Sequence, residues 1–223
     1  MNSWWVTSLL QSGGPALLVT WAFWIIFSVV LHELAHGYTA IRCGDRTPIE
    51  LGHITLNPVV HMGTSGLIMM AILGVTWGSM PVNPSRMRHW YDEILVTVAG
   101  PVTNLGLSLL CVAVLAGTIL TAGGQSVMAD RAVMFFGTGA MLNMVLAILN
   151  MLPLYPLDGG RILVACIPPL RRFYQTQIGA LSGFIGLVLI FFYGGDIVFP
   201  AANQAVALLV GLVLSMFGQT PTP

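Results

Sequence analysis

The segment that decides the fold is PALLVTWAFWIIFSVVLHELAHGYTAI, residues 15–41. It begins with a proline, a residue favoured in the first turn of a helix, and it ends just before the polar run RCGD. Apart from two histidines, its only acidic or basic residue is Glu33. Because a membrane crossing needs about 20 mainly apolar residues, the segment predicts a transmembrane helix with a polar cluster in its last third.

The composition of the whole chain agrees with this prediction. Of the 223 residues, 56% are hydrophobic and 7% are charged, and the mean hydropathy is +0.86. Soluble domains have about 25% charged residues, so a water-soluble globule is excluded. The apolar residues are spread along the chain, and we predict an all-α polytopic membrane protein that forms a single membrane-embedded domain over residues 1–223. The net charge is zero and no basic run is present, which excludes nucleic-acid binding.

Hydropathy and breaker residues divide the chain into segments. A stretch of about 15 residues, 66–80, is interrupted by Gly74 and Gly78 and is short for a crossing. We therefore expect a re-entrant or interfacial hairpin there. Residues 49–62 alternate loosely around Asn57-Pro58 and predict a short extended segment. The prediction is about five full transmembrane helices, at residues 15–41, 94–120, 131–152, 178–193 and 201–217.

The polar cluster of the first helix is an H-E-x-x-H motif, His32-Glu33-Leu34-Ala35-His36. The i,i+4 spacing places both imidazoles on one face of a helix. Imidazole is a good zinc ligand, and the glutamate between the histidines can take a proton from a metal-activated water without itself binding the metal. A chance pentapeptide or two structural histidines would be the simpler interpretation. The cost of placing charged groups in a membrane helix favours the functional one.

A catalytic zinc site needs a third protein ligand and an open position for water. Asp158 is the best candidate, because it follows the helix at 131–152 in the run NMLPLYPLDGGR, residues 150–161, where prolines and glycines break the helix. A helix cap or an ion pair with Arg161 would be the simpler role for this aspartate. Other possible ligands lie in the connection between the first two long helices, where we expect them to be interfacial and solvated: Glu50, His53, His61, Asp92 and Glu93.

These motifs together resemble the signature set of the site-2 protease family, which consists of intramembrane zinc metalloproteases. HELAH, GPVTN at residues 100–104 and NMLPLYPLDGG at residues 150–160 carry the resemblance. GHITLNPVVH at 52–61 and PVNPSRMR at 81–88 resemble the compact prokaryotic type without a PDZ or CBS domain. The resemblance covers about residues 16–165, which would be the catalytic core, with C-terminal helices at about 178–217.

The resemblance also implies roles for individual residues. Glu33 would be the general base, and zinc would be bound by His32, His36 and Asp158. Asn104 would contact substrate or an oxyanion, and Asn150 would bind substrate or have a packing role. An asparagine after Gly-Pro at a helix start is also an ordinary capping or interhelical hydrogen-bonding residue.

The zinc hypothesis restricts the topology. The polar end of the first helix and the end of the helix at 131–152 must lie at the same depth, which fails if residues 66–80 cross the membrane completely. With a hairpin there, all arginines except Arg131 fall on one side. By the positive-inside rule that side is cytoplasmic. We predict an integral protein of a prokaryotic cytoplasmic membrane with its N-terminus outside and its active site toward the cytosol.

The predicted function is zinc-dependent hydrolysis of peptide bonds within or near transmembrane segments of a substrate membrane protein. Because a helix in lipid has its backbone internally hydrogen-bonded, the substrate must first unwind. Residues 49–60 and the hairpin after them are candidates for pairing with it as an added strand. The alternative is a membrane metal-ion or proton transporter that uses the same His/Glu/Asp cluster. Bis-histidine haem and diiron carboxylate sites fit less well, because the two histidines share one helix and buried acids are few.

Overall fold

A computed structural model describes residues 4–122 and 126–219 of the chain. Over these residues the regular secondary structure is helical and no strand is present, which confirms the predicted all-α class. A 3₁₀ turn, Pro84–Arg86, precedes the fourth helix, and a π-helical turn, Ile190–Gly194, joins the last two. The helices are α1 (Trp5–Arg42), α2 (Thr47–Glu50), α3 (Pro58–Leu73), α4 (Asp92–Ala122), α5 (Val127–Asn150), α6 (Asp158–Cys166), α7 (Pro168–Tyr174), α8 (Gln177–Leu189) and α9 (Gly195–Met216).

Four segments of the described chain are long and apolar enough to cross a membrane: Trp5–Arg42, Asp92–Thr121, Val127–Asn150 and Gln177–Met216. The prediction of five full transmembrane helices is therefore wrong by one. The two C-terminal segments, predicted as separate helices, are continuous through the π-helical turn. Gly194 (φ −68°, ψ −27°) and Gly195 (φ −56°, ψ −43°), which follow the first of these predicted segments, keep helical backbone angles.

The first helix also differs from its predicted boundary. It begins at Trp5 rather than at Pro15, and the predicted start is a kink at which Gly14 adopts φ 67°, a left-handed angle that favours glycine. The Trp4 indole N–H donates to the backbone oxygen of Ile72, with 2.6 Å between nitrogen and oxygen. The N-terminal part of α1 thus contacts the end of α3.

The core lies between four helices, α1, α4, α5 and α9. The Trp24 indole N–H donates to the backbone oxygen of Phe135 at 2.8 Å. Gly139 allows this approach, because a Cβ at that position would collide with the Trp24 ring. This contact holds α1 against α5. The buried members that the four helices contribute include Trp24, Ile25, Cys111, Val112, Ala140, Leu142, Val198, Ala202 and Val206.

The segment between α1 and α4 forms a hairpin beside α1. Met62, near the start of α3, belongs to the apolar cluster around Val30, whereas Met70, near its end, belongs to the cluster around Trp24. Helix α3 therefore runs antiparallel to α1 along only part of its length. After Gly74 the chain returns without regular structure as far as residue 83. The hairpin enters and leaves at the C-terminal end of α1.

Two connecting regions are more helical than the sequence indicated. The extended segment predicted at 49–62 is wrong: it contains the end of α2, a turn and the start of α3. The Asn57 side chain accepts a hydrogen bond from the Val59 N–H at 3.0 Å, so the Asn-Pro pair that indicated a break caps a helix. The region after α5, predicted as a connection, contains α6 and α7.

Asp45 fixes the start of this region. It is fully buried, and its carboxylate accepts hydrogen bonds from the Thr47 N–H, the Thr47 hydroxyl and, at 2.6 Å, the Asn83 N–H. Burial alone would raise the pKa of Asp45, but the hydrogen bonds from Asn83 and Thr47 outweigh it and hold the pKa below its ordinary value. This carboxylate therefore ties the end of α1 to the chain that returns from the hairpin.

Replacing Asp45 by asparagine is expected to lower the free energy of unfolding by about 1–3 kcal/mol, because an amide N–H₂ then faces a backbone donor inside the protein. A group with a lowered pKa stabilises the fold above its unfolded pKa, here about 3.9, and that stability is lost as the pH falls through the lowered folded value. Unfolding by a denaturing detergent at pH 7 and pH 3 measures both effects. The difference between wild type and Asp45→Asn should shrink at pH 3, and the exposed Asp130→Asn should change little at either pH.

Candidate metal centre

His32 and His36 lie on one face of α1, where the i,i+4 spacing places them. Their ring centroids are 4.6 Å apart, and their Nε2 atoms approach to 3.0 Å. Both residues are buried, with 7% and 5% of their surface exposed. The two imidazoles therefore present their Nε2 atoms to a single point inside the helix bundle.

Asp158 brings the third polar group to this point. It is the first residue of α6, and its Oδ2 lies 3.1 Å from the His32 Nε2 and 3.4 Å from the His36 Nε2. Within the described ranges, this is the single group of three or more His, Cys, Asp or Glu side chains whose ligand atoms are close enough to hold one metal ion. The aspartate thus faces the histidines and makes no ion pair with Arg161.

The two glycines after Asp158 explain how α6 approaches so closely. A Cβ at Gly159 would collide with the backbone oxygens of Met151 and Leu152, and a Cβ at Gly160 would collide with the backbone of Leu154. The first turn of α6 therefore packs directly on the chain that leaves α5. The glycines of the LDGG motif set the position of its aspartate.

A chain of hydrogen bonds fixes the tautomer of His32. The Asn143 side-chain N–H donates to the backbone oxygen of Gly139 at 2.9 Å, so the Asn143 Oδ1 is the acceptor for the Asn104 N–H at 3.1 Å. The Asn104 Oδ1 is then the atom that lies 2.6 Å from the His32 Nδ1. Because an amide oxygen only accepts, the His32 Nδ1 must carry the proton.

His36 is oriented in the same way by the backbone. Its Nδ1 lies 2.7 Å from the backbone oxygen of Val96 on α4, which can only accept a hydrogen bond. Each ring therefore donates its Nδ1–H to an acceptor and keeps a lone pair on Nε2. This is the usual arrangement around metal-binding histidines.

The donor set fits a zinc ion. Two Nε2 lone pairs and a carboxylate oxygen converge in a buried site, and the Asp158 Oδ2 accepts no hydrogen bond there. Such a cluster is repulsive without a cation, since unpaired buried acceptors are costly. Two histidines and one carboxylate are a known ligand set of catalytic zinc, which leaves one coordination position for water or substrate.

Glu33 is next to the metal ligands and is 6% exposed. Its carboxylate has no hydrogen-bond or ion-pair partner in the part of the chain that the structure describes. Gly78, in the returning chain of the hairpin, lies against it, and a Cβ at that position would collide with the Glu33 Oε1. The hairpin thus closes over a carboxylate beside the metal ligands.

Sequence reasoning missed the role of Gly100. This residue of α4 faces the histidines, and a Cβ added there would lie 2.5 Å from the His36 Nε2 and 2.6 Å from the His32 Nε2. The absence of a side chain therefore leaves the space in which the ligand atoms converge. Gly100 is the first residue of the GPVTN motif. The motif does not indicate which of its residues faces the metal group, and only the helix packing shows this.

The two candidate substrate-binding asparagines are placed differently. Asn104 is fully buried, and both ends of its amide are engaged, by His32 and by Asn143. Asn150 donates to the backbone oxygen of Leu146 at 3.0 Å, within its own helix. In this conformation Asn104 orients a metal ligand, whereas the side-chain hydrogen bond of Asn150 lies within its own helix.

The other candidate ligands lie outside the metal group. Glu50 pairs with Arg86, and Glu93 with Arg171. His53 contacts the backbone oxygen of Leu51. The expectation that all of them are solvated is wrong for two residues, which are held by backbone hydrogen bonds and are 3% and 1% exposed: Asp92 and His61.

A buried His₂-Asp group, built from two helices of an apolar bundle and accompanied by a free carboxylate, defines a zinc hydrolase embedded in a membrane protein. The comparisons with known proteins agree. Residues 20–121 and 112–193 match the model of peptidase family M50. The chain belongs to this family, the site-2 protease family of intramembrane zinc metalloproteases, as its motifs predicted.

Several relatives are named as zinc metalloproteases. The chain is 34% identical to the putative zinc metalloprotease YwhC of Bacillus subtilis over 214 residues, which are 91% of this chain and 93% of YwhC. It is 31% identical to the putative zinc metalloprotease Rip2 of Mycobacterium tuberculosis over 73% of this chain and 61% of Rip2. Zinc metalloprotease MJ0392 of Methanocaldococcus jannaschii is 27% identical over 78% of this chain and 43% of its own length. No solved structure matches the chain.

Replacing Gly100 by alanine is expected to lower zinc affinity by at least about tenfold, because the added methyl group displaces the ligand atoms. Zinc bound per purified chain, measured after equilibration with a zinc buffer, tests this. Gly106→Ala is the matched control, since it lies on the same helix with no atom within 4 Å of the new Cβ. Equal zinc affinity in the two variants would contradict the proposed space for the metal.

Proposed function

We propose that the protein hydrolyses peptide bonds within or near transmembrane segments of other membrane proteins, and that Glu33 is its general base. His32, His36 and Asp158 hold the zinc ion. The observation that carries this proposal is the convergence of these three buried ligand atoms beside the unpartnered Glu33 carboxylate. The catalytic core, about residues 16–165, and the C-terminal helices, about 178–217, act as one membrane-embedded domain.

The chemistry needs one proton acceptor that later becomes a donor. Zinc, when bound, supplies Lewis acidity that activates water and polarises the scissile carbonyl. Glu33 takes a proton from the attacking water, whose hydroxyl oxygen adds to the carbonyl carbon, and gives that proton to the nitrogen as the C–N bond breaks. The products are a carboxylic acid and an amine, which exchange a proton to become a carboxylate and an ammonium group. Asn104 and Val96 hold the two imidazoles in the tautomer that keeps their Nε2 atoms available.

Substrate must reach this site as an unwound chain, because a helical backbone in lipid has no free peptide groups. The returning chain of the hairpin, residues 74–83, has no regular secondary structure and passes Glu33 at Gly78. The Ser79 N–H already donates to the His61 backbone oxygen, but the absence of a paired strand at residues 75–78 supports pairing with an extended substrate segment. The region 49–60 is less suited to this role, since most of it is turn or helix.

The orientation in the membrane follows from charge and hairpin geometry. The hairpin enters and leaves at one end of α1, so α1, α4 and α5 alternate in direction, and the ends of α1 and α5 lie at the same level. The N-terminus would then lie outside a prokaryotic cytoplasmic membrane and the active site toward the cytosol. This places on the cytosolic side Arg42, Arg46, Arg86, Arg88, Arg161, Arg171 and Arg172, and leaves only Arg131 outside.

A transporter would also keep histidines and acids inside a bundle. Family membership favours hydrolysis, as does the placement of Glu33, which is next to the ligand group without belonging to it. A transport pathway gives no reason for a carboxylate held in that position.

Glu33→Gln is expected to reduce cleavage of a membrane-embedded reporter by at least about a hundredfold, the lower end for loss of general acid–base catalysis, while zinc content stays unchanged. Asp158→Ala is expected to lose both zinc and activity. Reporter cleavage and zinc content of the purified variants decide this, with the surface variant Glu50→Gln as control. Full cleavage by Glu33→Gln would refute the mechanism.

The topology is tested with single cysteines introduced into a cysteine-free variant. Ser85 and Asp130 are both exposed. Ser85 precedes α4, and Asp130 follows α4, in the first turn of α5. A membrane-impermeant thiol reagent applied to intact cells is expected to label Asp130→Cys and to label Ser85→Cys only after lysis. Labelling of both positions from the same side would contradict the hairpin.

A further inference from the structure

Arg161 lies near the metal group, and the proposed mechanism gives it no role. It is on α6, three residues after Asp158, and i,i+3 residues are neighbours on a helix surface. Arg161 is half-buried and has no ion-pair or hydrogen-bond partner among the described residues. By contrast, Arg86 and Arg171 each pair with a glutamate. The guanidinium of Arg161 is therefore available to bind an anion.

A small cavity lies between Arg161 and the metal ligand His36. It has a volume of about 10 Å³, and its lining includes Arg161 and the metal ligand His36. This volume holds about one water molecule. The remaining lining is mostly apolar, from Met80, Val82 and Val96. Arg161 and the metal ligand His36 thus line one space that holds about one water molecule.

A second cavity is lined by neighbouring residues of the same elements as the first. This outer cavity has a volume of about 470 Å³ and lies toward the polar end of α4. The same three elements line both, so Arg161 lies between the outer cavity and the metal group. The outer cavity is lined by Glu93 on α4, Ala165 on α6 and Pro84 before α4. The small cavity is lined by Thr97, Arg161 and Val82 of the same three elements.

We propose that Arg161 binds the main-chain carboxylate that hydrolysis creates, whose two oxygen atoms come from the scissile carbonyl group and from the attacking water. This inference rests on the peptide hydrolysis proposed above. Cleavage converts a neutral carbonyl into a carboxylate at the metal group, and this is the anion that the reaction itself supplies. Arginine suits it, because the planar guanidinium can bind both carboxylate oxygens at once. Arg161 then binds the negatively charged product carboxylate more tightly than the neutral peptide group of the substrate.

The test measures binding without turnover. The probe is an apolar octapeptide with an N-terminal fluorophore, made with either a free C-terminal carboxylate or a C-terminal amide. Its affinity is measured by fluorescence anisotropy for the zinc-loaded full chain in lipid nanodiscs, with empty nanodiscs as the blank. All proteins carry Glu33→Gln, and mass spectrometry verifies that the peptide stays intact. The readout is the ratio of the two dissociation constants.

The protein with Arg161 is expected to prefer the carboxylate, and Arg161→Gln is expected to reduce that preference by about tenfold, the size of one charge-assisted hydrogen bond. Any attraction of the carboxylate to zinc is common to all variants, so the change in preference reports on Arg161. Arg172→Gln, an exposed arginine without a partner in the described chain, is the matched control and should leave the ratio unchanged.

Zinc content and unfolding midpoint are measured for each variant. If Arg161→Gln does not fold or bind zinc, Arg161→Lys is used in its place. The lysine keeps the charge but cannot bind two oxygens at once, so the preference of this variant for the carboxylate peptide should also fall. An absence of preference in the parent protein, or an unchanged preference in both Arg161 variants, overturns the proposal. Cleavage of the peptide by the Glu33→Gln protein would instead count against the general base alone.

Discussion

Two imidazole lone pairs and a carboxylate lie close together inside an apolar helix bundle. The rest of the structure depends on stabilising this cluster of acceptors. The Nε2 atoms of His32 and His36 and the Asp158 Oδ2 lie within 4.8 Å of one another. Without a cation these acceptors repel one another, and water is too scarce at this depth to solvate them. Zinc binding therefore belongs to the stability of the bundle as well as to its chemistry.

The surrounding elements satisfy this constraint in different ways. Helix α4 supplies Gly100, which leaves room for the metal, and Asn104 and Val96, which accept the Nδ1 protons. Helix α5 extends the hydrogen-bond chain through Asn143 to a backbone carbonyl. The hairpin closes the site at Gly78. The packing of small residues between helices and the orientation of the zinc ligands thus depend on the same few positions.

Some features of the sequence predicted the correct secondary structure, and others did not. A proline at position 15 marked the main part of α1, although helical residues begin earlier, because Gly14 can adopt the left-handed angle that joins the two parts. Asn57-Pro58 indicated extended structure, but an asparagine followed by proline also begins a helix. The segments 178–193 and 201–217 were predicted as separate helices, but the π-helical turn joins them. In each case a local residue preference allowed two structures, and contacts distant in sequence selected one.

The sequence by itself determined that this is a helical membrane protein and which residues form its metal group, because hydropathy, the H-E-x-x-H spacing and the LDGG break are local patterns with direct chemical meaning. Only the tertiary structure decided that Asn104 faces His32 and is held by Asn143, that Gly100 leaves the space for the metal, and that Arg161 lines a cavity beside His36. These are relations between different helices. They depend on which face each helix turns toward its neighbours, and in a chain that is apolar on nearly every face the hydrophobic pattern does not specify that choice.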